Sequence, residues 1–268
     1  FEQALIEVVD CATAQATQGG LHTPSDYIAT DLSIARLAQL QSRYDIEAIF
    51  TANSLQQGFI YHQLSQENDD AYRVQLLLDY HDELDIDCYK QAWRLASKRY
   101  SALRLAFDWS GEPLQIITRG ALLDDSHFTV MDLSHLSEAE RDDRIRCIQQ
   151  ADRQQGFDLT QPGLLRFTLF KHHDSHYTVM ETVHHSISDG WSGPILWQYV
   201  HETYQSLISG VTPHVEIEQA YPQAQTWLAS HTSATHAYWQ AQRQQWQGCN
   251  DINNLLSHPV DLTQRKPI

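Results

Sequence analysis

The run Val183-His184-His185-Ser186-Ile187-Ser188-Asp189-Gly190-Trp191-Ser192 constrains this chain more than any other stretch. It lies between an apolar alternating segment and an amphipathic one, so it reads as the turn from a strand into a helix. Neighbouring side chains on a strand point to opposite sides. Only one of His184 and His185 therefore faces a substrate easily, and the other packs into the scaffold or hydrogen-bonds with it. Asp189 follows four residues after His185, and Gly190 permits the positive φ that a sharp turn can demand. Ser192 is placed to cap the next helix, with Pro194 accommodated in its first turn. An imidazole beside a helix N-terminus sits where partial negative charge is stabilised. A lone histidine here would be read as a satisfied core residue in a polar turn. Two histidines, a carboxylate and a glycine together point to a functional site.

The run resembles the His-His-x-x-x-Asp-Gly signature of nonribosomal peptide synthetase condensation domains, and it matches the longer form through Trp191-Ser192. Acyltransferases of the chloramphenicol acetyltransferase type share only His-x-x-x-Asp-Gly, and epimerization domains usually lack the Gly-Trp-Ser continuation. Three further stretches extend the resemblance. Residues 50–64 read as a helix capped at Asn53 or Ser54 and match the first family motif at Leu55, Gln56, Gly58 and His62. Asn53 and Ser54 replace its usual Ser and Pro. Residues 99–107 keep both arginines, Arg99 and Arg104, and Phe107 of the second motif, with Tyr100, Ser101 and Leu105 substituted. Residues 221–227 keep Tyr221 and Trp227 of the fourth motif, but Gln223 replaces its Asp.

The remaining elements are legible from periodicity and turn chemistry. Residues 1–17 read as a helix with Leu5, Val8 and Val9 apolar, ended by Gln18-Gly19-Gly20. No serine follows that glycine pair, which excludes a carrier-protein loop. Thr23-Pro24-Ser25-Asp26-Tyr27 is a turn, and a helix over about 32–43 follows. Strands are expected over 72–80, 103–109, 114–118, 164–170 and 176–183, and helices over about 85–100, 137–155, 191–207 and 232–247. The histidines of Lys171-His172-His173-Asp174-Ser175-His176 read as a solvated hairpin tip, since no closed metal-ligand set accompanies them.

Composition narrows the partners. A net charge of −16 over 268 residues argues against nucleic acid or an anionic membrane as the main partner. No apolar run is long enough to span a bilayer. Cys11, Cys88, Cys147 and Cys249 are scattered, which fits a reducing, cytoplasmic setting without a zinc site or disulfide framework. The chain opens on Phe1, with neither initiator Met nor signal segment, and reads as part of something longer. There is no Walker loop and no dinucleotide fingerprint.

The family resemblance covers about residues 46–268 and implies an α+β sandwich fold. That fold is a chloramphenicol acetyltransferase-like lobe with a mixed, largely antiparallel sheet backed by helices. It implies a helical linker or upstream epimerization-type tail at 1–45, the N-terminal lobe at 46–218, and the truncated start of the C-terminal lobe at 219–268. The implied reaction joins a donor acyl or peptidyl thioester to an acceptor aminoacyl thioester as an amide. Both are presented on phosphopantetheine arms by carrier proteins, so no cofactor or metal is bound directly. Donor and acceptor carriers and neighbouring synthetase domains are the implied partners. The α-amine must be neutral to attack. His185 is then the base or the acceptor that orients the amine, with His184 beside it. Asp189 is structural and pairs with Arg99 or Arg104. Gly190 serves backbone geometry, and its N–H is available to the thioester oxygen. Trp191 and Ser192 support the site, and Asn53, Gln56 and Gly58 line the substrate tunnel. The opening segment and the Leu-Gln-x-Gly form of the first motif lean towards a D-configured donor and an L-configured acceptor. Two alternatives stay open: a free-standing acyltransferase of the same superfamily, and a non-catalytic carrier-docking module.

Overall fold

A computed structural model describes residues 2–17, 22–27, 32–66, 69–120 and 122–246. The end expected for the first helix at 18–20 and residues 247–268 of the expected start of the C-terminal lobe lie outside the described residues. The chain divides into two units, 1–226 and 227–268.

Two sheets form the frame of the first unit. The smaller has the order β1 (Ile46–Thr51), β4 (Leu114–Thr118), β3 (Leu105–Asp108), all antiparallel. The larger has the order β2 (Arg73–Tyr80), β7 (His176–His184), β6 (Leu165–His173), β5 (Phe128–Asp132). In the larger sheet only β5–β6 is parallel.

The period-two alternation of β7 sets the layers. Tyr177, Val179 and Val183 face a core closed by α4 (Ile86–Arg99) and α6 (Ser192–Ile208), through Trp93, Ala96, Leu196 and Val200. Met180 faces the other way, with Phe170, onto Ile145 of α5 (Glu138–Gln154). The α5 face is also latched by polar groups. Asp152 accepts from Arg166 Nε at 2.6 Å, Thr182 Oγ1 at 2.6 Å and Gln75 Nε2 at 2.7 Å. Desolvation raises the Asp152 carboxyl, but these donors outweigh it and hold the group below the usual carboxylate range.

A third packing group joins the opening segment to the smaller sheet. Tyr27, Leu32 and the buried stripe of α2 (Ile34–Gln41), Leu37 and Leu40, meet Ile46, Ile49, Ala106 and Ile116. Arg36 of α2 donates to Asp108 at 2.6 Å. By contrast Leu5, Val8 and Val9 of α1 (Glu2–Thr17) are exposed.

Several boundaries differ from the sequence expectations. Strands β1 and β5 were not anticipated. Glu47 interrupts the short apolar run of one, and Thr129 and Val130 of the other are exposed. The strand expected over 103–109 is confined to 105–108, because Ser101–Arg104 forms a 3₁₀ turn. The last helix is α7 (Ala220–Arg243), which begins well before 232 and accommodates Pro222 in its first turn. The hairpin tip is not wholly solvated: His172 is buried, with Nε2 2.8 Å from Thr178 Oγ1. In the second unit the indole of Trp227 stacks on His231 at 4.2 Å, and Trp239 lies 6.2 Å from Trp246.

Candidate active site

Strand β7 delivers the two histidines to opposite faces. The His184 amide donates to Leu164 O and the His185 amide to Tyr72 O, each at 2.9 Å, so the ladder runs on into the motif. His184 is buried, edge-on to Phe59 and Phe157. Its Nδ1 accepts the Ser186 amide at 3.2 Å, with Ser186 Oγ at 2.8 Å. A ring that accepts at Nδ1 carries its proton on Nε2. Burial, helped by nearby His185 and Arg73, pushes the His184 pKa down to about 4, so the ring is neutral near pH 7.

His185 has the opposite tautomeric bias. Its Nδ1 lies 2.7 Å from the carbonyl oxygen of Ser188, which can only accept. The proton is thereby fixed on Nδ1, and the lone pair of Nε2 is left open. The ring stacks on Phe59 at 5.9 Å and forms part of the wall of a cavity of about 330 Å³. Ser188, Gly190 and Trp197 wall the same cavity. A second cavity, of about 410 Å³, shares Ser188 and is lined by Arg99, Tyr100, Ile187, Ser192 and Ile195. The motif loop thus borders two chambers.

Asp189 closes the loop and starts α6. Its carboxylate accepts the amides of Trp191 at 3.1 Å and Ser192 at 2.8 Å, while Ser192 Oγ accepts the Asp189 amide at 2.9 Å. The Ser192 backbone N–H foremost holds this carboxyl below its usual range. The expectation that Asp189 pairs with an arginine is corrected. Arg99 donates to Glu216 O at 3.1 Å and lies over the rings of Tyr100 and Tyr199. Arg104 is buried under the smaller sheet. It bonds Glu47 at 2.7 Å, Ser97 O at 2.9 Å, and Thr118 O. The capping expectation is also corrected: Ser192 is the first residue of α6, and its amide donates to Asp189, two residues before the N-cap Trp191.

Positive φ among the described glycines is confined to Gly163 and Gly210, so Gly190 does not need it. A Cβ at Gly190 would meet nothing within 4 Å, and its place in the cavity wall is what the structure gives it. Trp191 is 88% exposed, and its ring makes no aromatic or cation contact among the described residues. The residues expected to line a tunnel border neither of these two cavities. Asn53 caps α3 (Ser54–Ser65). Gln56 is buried against Gln115 and Tyr221. Gly58 faces open space.

One residue of the site was missed. Glu181 is buried at the inward register between Val179 and Val183 and walls the cavity that holds His185. The available signal was a carboxylate on the apolar side of an alternating strand.

The comparisons decide the family. The condensation-domain family model matches residues 46–265. The chain belongs to the condensation-domain family. It is 37% identical over 210 residues to N-(5-amino-5-carboxypentanoyl)-L-cysteinyl-D-valine synthase of Amycolatopsis lactamdurans, covering 77% of this chain and 6% of that protein. It is 28% identical over 247 residues to bacitracin synthase 3 of Bacillus licheniformis, covering 89% of this chain and 4% of that one. The chain therefore spans only a small part of the length of these relatives. The starter condensation domain of rhizomide synthetase has the same fold, with a TM-score of 0.61 at 22% identity over 72% of this chain and 49% of that one. The α+β architecture expected from the motifs is that of condensation domains. No described helix is long and apolar enough to cross a membrane, and no described group of three His, Cys, Asp or Glu residues is placed to hold a metal ion.

Proposed function

We propose that this chain supplies the histidine-bearing lobe of a condensation domain that joins a donor acyl or peptidyl thioester to an acceptor aminoacyl thioester. The observation that carries the reading is the tautomer of His185, fixed by Ser188 O at 2.7 Å on a loop that borders two cavities. Nε2 of His185 takes or orients a proton of the acceptor α-amine as nitrogen attacks the thioester carbonyl. The C–S bond breaks, the thiol of the donor arm leaves, and an amide forms. General-base help of this kind supplies roughly 10²–10⁴-fold, and holding two tethered reactants in register can supply more. His184, neutral and buried, positions the strand end and does no proton transfer. Gly190 offers its N–H at the cavity wall.

Phosphopantetheine arms deliver both substrates, so the partners are donor and acceptor carrier proteins and the adjoining synthetase domains. In this reading residues 1–45 form the junction with a preceding epimerization-type domain, consistent with the exposed apolar face of α1. Residues 219–268 begin the second lobe, and the lobe alone is inactive. The donor is D-configured and the acceptor L-configured.

The test uses the complete synthetase with separately loaded donor and acceptor carriers, and intact-protein mass to detect the condensed product. Product from a D donor alone supports the whole reading. Product from an L donor alone keeps the chemistry and reduces residues 1–45 to a linker. Bound carriers without product from either donor overturn it in favour of a docking role.

A further inference from the structure

The cavity beside His185 has a chemical bias that amide formation does not require. Its walls are Val74 and Leu76 from β2, Glu181 and Val183 from β7, and Trp197 from α6, with His185 and Asp189 from the motif loop. Among the described residues no lysine or arginine lines it. Glu181 is 3% exposed, and Trp197 Nε1 donates to its Oε2 at 2.8 Å. Among the described residues no other donor reaches this carboxylate. A buried carboxyl with one donor and an open cavity in front of it lacks its natural counter-group.

We propose that Glu181 is a specificity-determining residue that receives a primary ammonium group carried by one of the two substrates. Register places this contact away from the bond being made. Leu76 pairs Glu181 and Val74 pairs Val183, so residues 181, 183 and 185 share one face of the sheet. Glu181 and His185 are four residue steps apart, about 13 Å along the chain. The ammonium therefore ends an extended chain several bonds from the reacting carbon and is not the attacking amine. Val74, Leu76 and Val183 line the space between and fit its methylenes. Desolvation pushes the Glu181 carboxyl up to about 7, so an arriving ammonium finds a group ready to give up its proton and pair with it.

The inference rests on the carrier-linked reading, and its test is kept separate from turnover. Single pantetheine thioesters are titrated into the complete synthetase by calorimetry, so no second substrate is present to react. A donor arm compares ω-aminohexanoyl with hexanoyl thioester, and an acceptor arm compares lysyl with norleucyl thioester. In one arm the amino member is expected to bind about tenfold to a hundredfold more tightly. Glu181→Gln, which keeps an acceptor for Trp197, is expected to level the pair, and Glu181→Met to favour the amine-free member. The arm that responds identifies which substrate carries the ammonium. Equal affinities in both arms of the native protein, or a preference that survives Glu181→Gln with the thermal midpoint intact, overturn the proposal. An intact preference here, together with no condensed product when both loaded carriers are supplied, refutes the condensation reading alone.

Discussion

The Nδ1–H of His185 ends on the carbonyl oxygen of Ser188, 2.7 Å away and three residues along the chain. One backbone group therefore sets which nitrogen of the ring is basic. His185→Ala is expected to lower the condensation rate about a hundredfold or more, with an unchanged thermal midpoint. His185→Gln, which has no basic nitrogen, is expected to fall as far. Single-turnover formation of condensed product on the acceptor carrier checks both, and near-native turnover in either would remove the base.

Asp189 acts through its two amide contacts. Asp189→Asn keeps an accepting oxygen for the amides of Trp191 and Ser192 and is expected to keep most of the rate. Asp189→Ala is expected to lose about 1 kcal/mol of stability and a larger part of the rate, because the loop holding Ser188 O loosens. Denaturant midpoints measured beside turnover separate the two effects. Equal loss in both variants would mean that the charge matters more than the cap.

Two buried titrations of opposite sign lie on the two faces of β7. Burial raises the Glu181 pKa from 4.5 to about 7, so its contribution is fully present below pH 4.5 and is lost as pH rises through 7. Burial lowers the His184 pKa from 6.5 to about 4, so its contribution is present above pH 6.5 and is lost as pH falls through 4. Each is worth on the order of 3 kcal/mol, and between pH 4.5 and 6.5 their slopes oppose. Glu181→Gln is expected to expose the histidine alone, with stability climbing across that interval. Urea denaturation at several pH values reads this directly. A native protein and variant with parallel pH profiles would refute it.

Arg104 is 2% exposed and carries three acceptors: Glu47, Ser97 O and Thr118 O. Arg104→Ala leaves the two carbonyls without this donor and Glu47 unpaired, and is expected to cost about 3–5 kcal/mol. Arg104→Met, which fills the volume, is expected to recover part of it. Equilibrium unfolding of both decides. A loss under about 1 kcal/mol in the alanine variant would mark the pair as a surface-like bridge.

The split of His184 and His185 was legible because strand alternation is local and the apolar run before them is clear. A cap at Asn53 or Ser54 was legible for the same reason, and Asn53 is the one that caps α3. Side chains fixed by distant partners were not legible. Arg104 meets Glu47, 57 residues away, and Gln56 meets Tyr221, 165 residues away. No local pattern announces such pairs, and Asp189 was assigned an arginine when its own backbone neighbours satisfy it. Glu181 stands between these cases. Its position on the inward register of β7 was readable, but its meaning depends on α6 laying Trp197 over it and leaving a cavity beside it.

The Asp189 cap gives the signature two kinds of spelling. On the proposed reading His185 is spelled for chemistry and Asp189 for architecture, since the carboxylate is consumed in starting α6. On the same proposed reading, loss of His185 stops the reaction and spares the lobe, whereas loss of Asp189 loosens the loop itself. On that reading the two residues report different things, His185 a working site and Asp189 an intact start to α6.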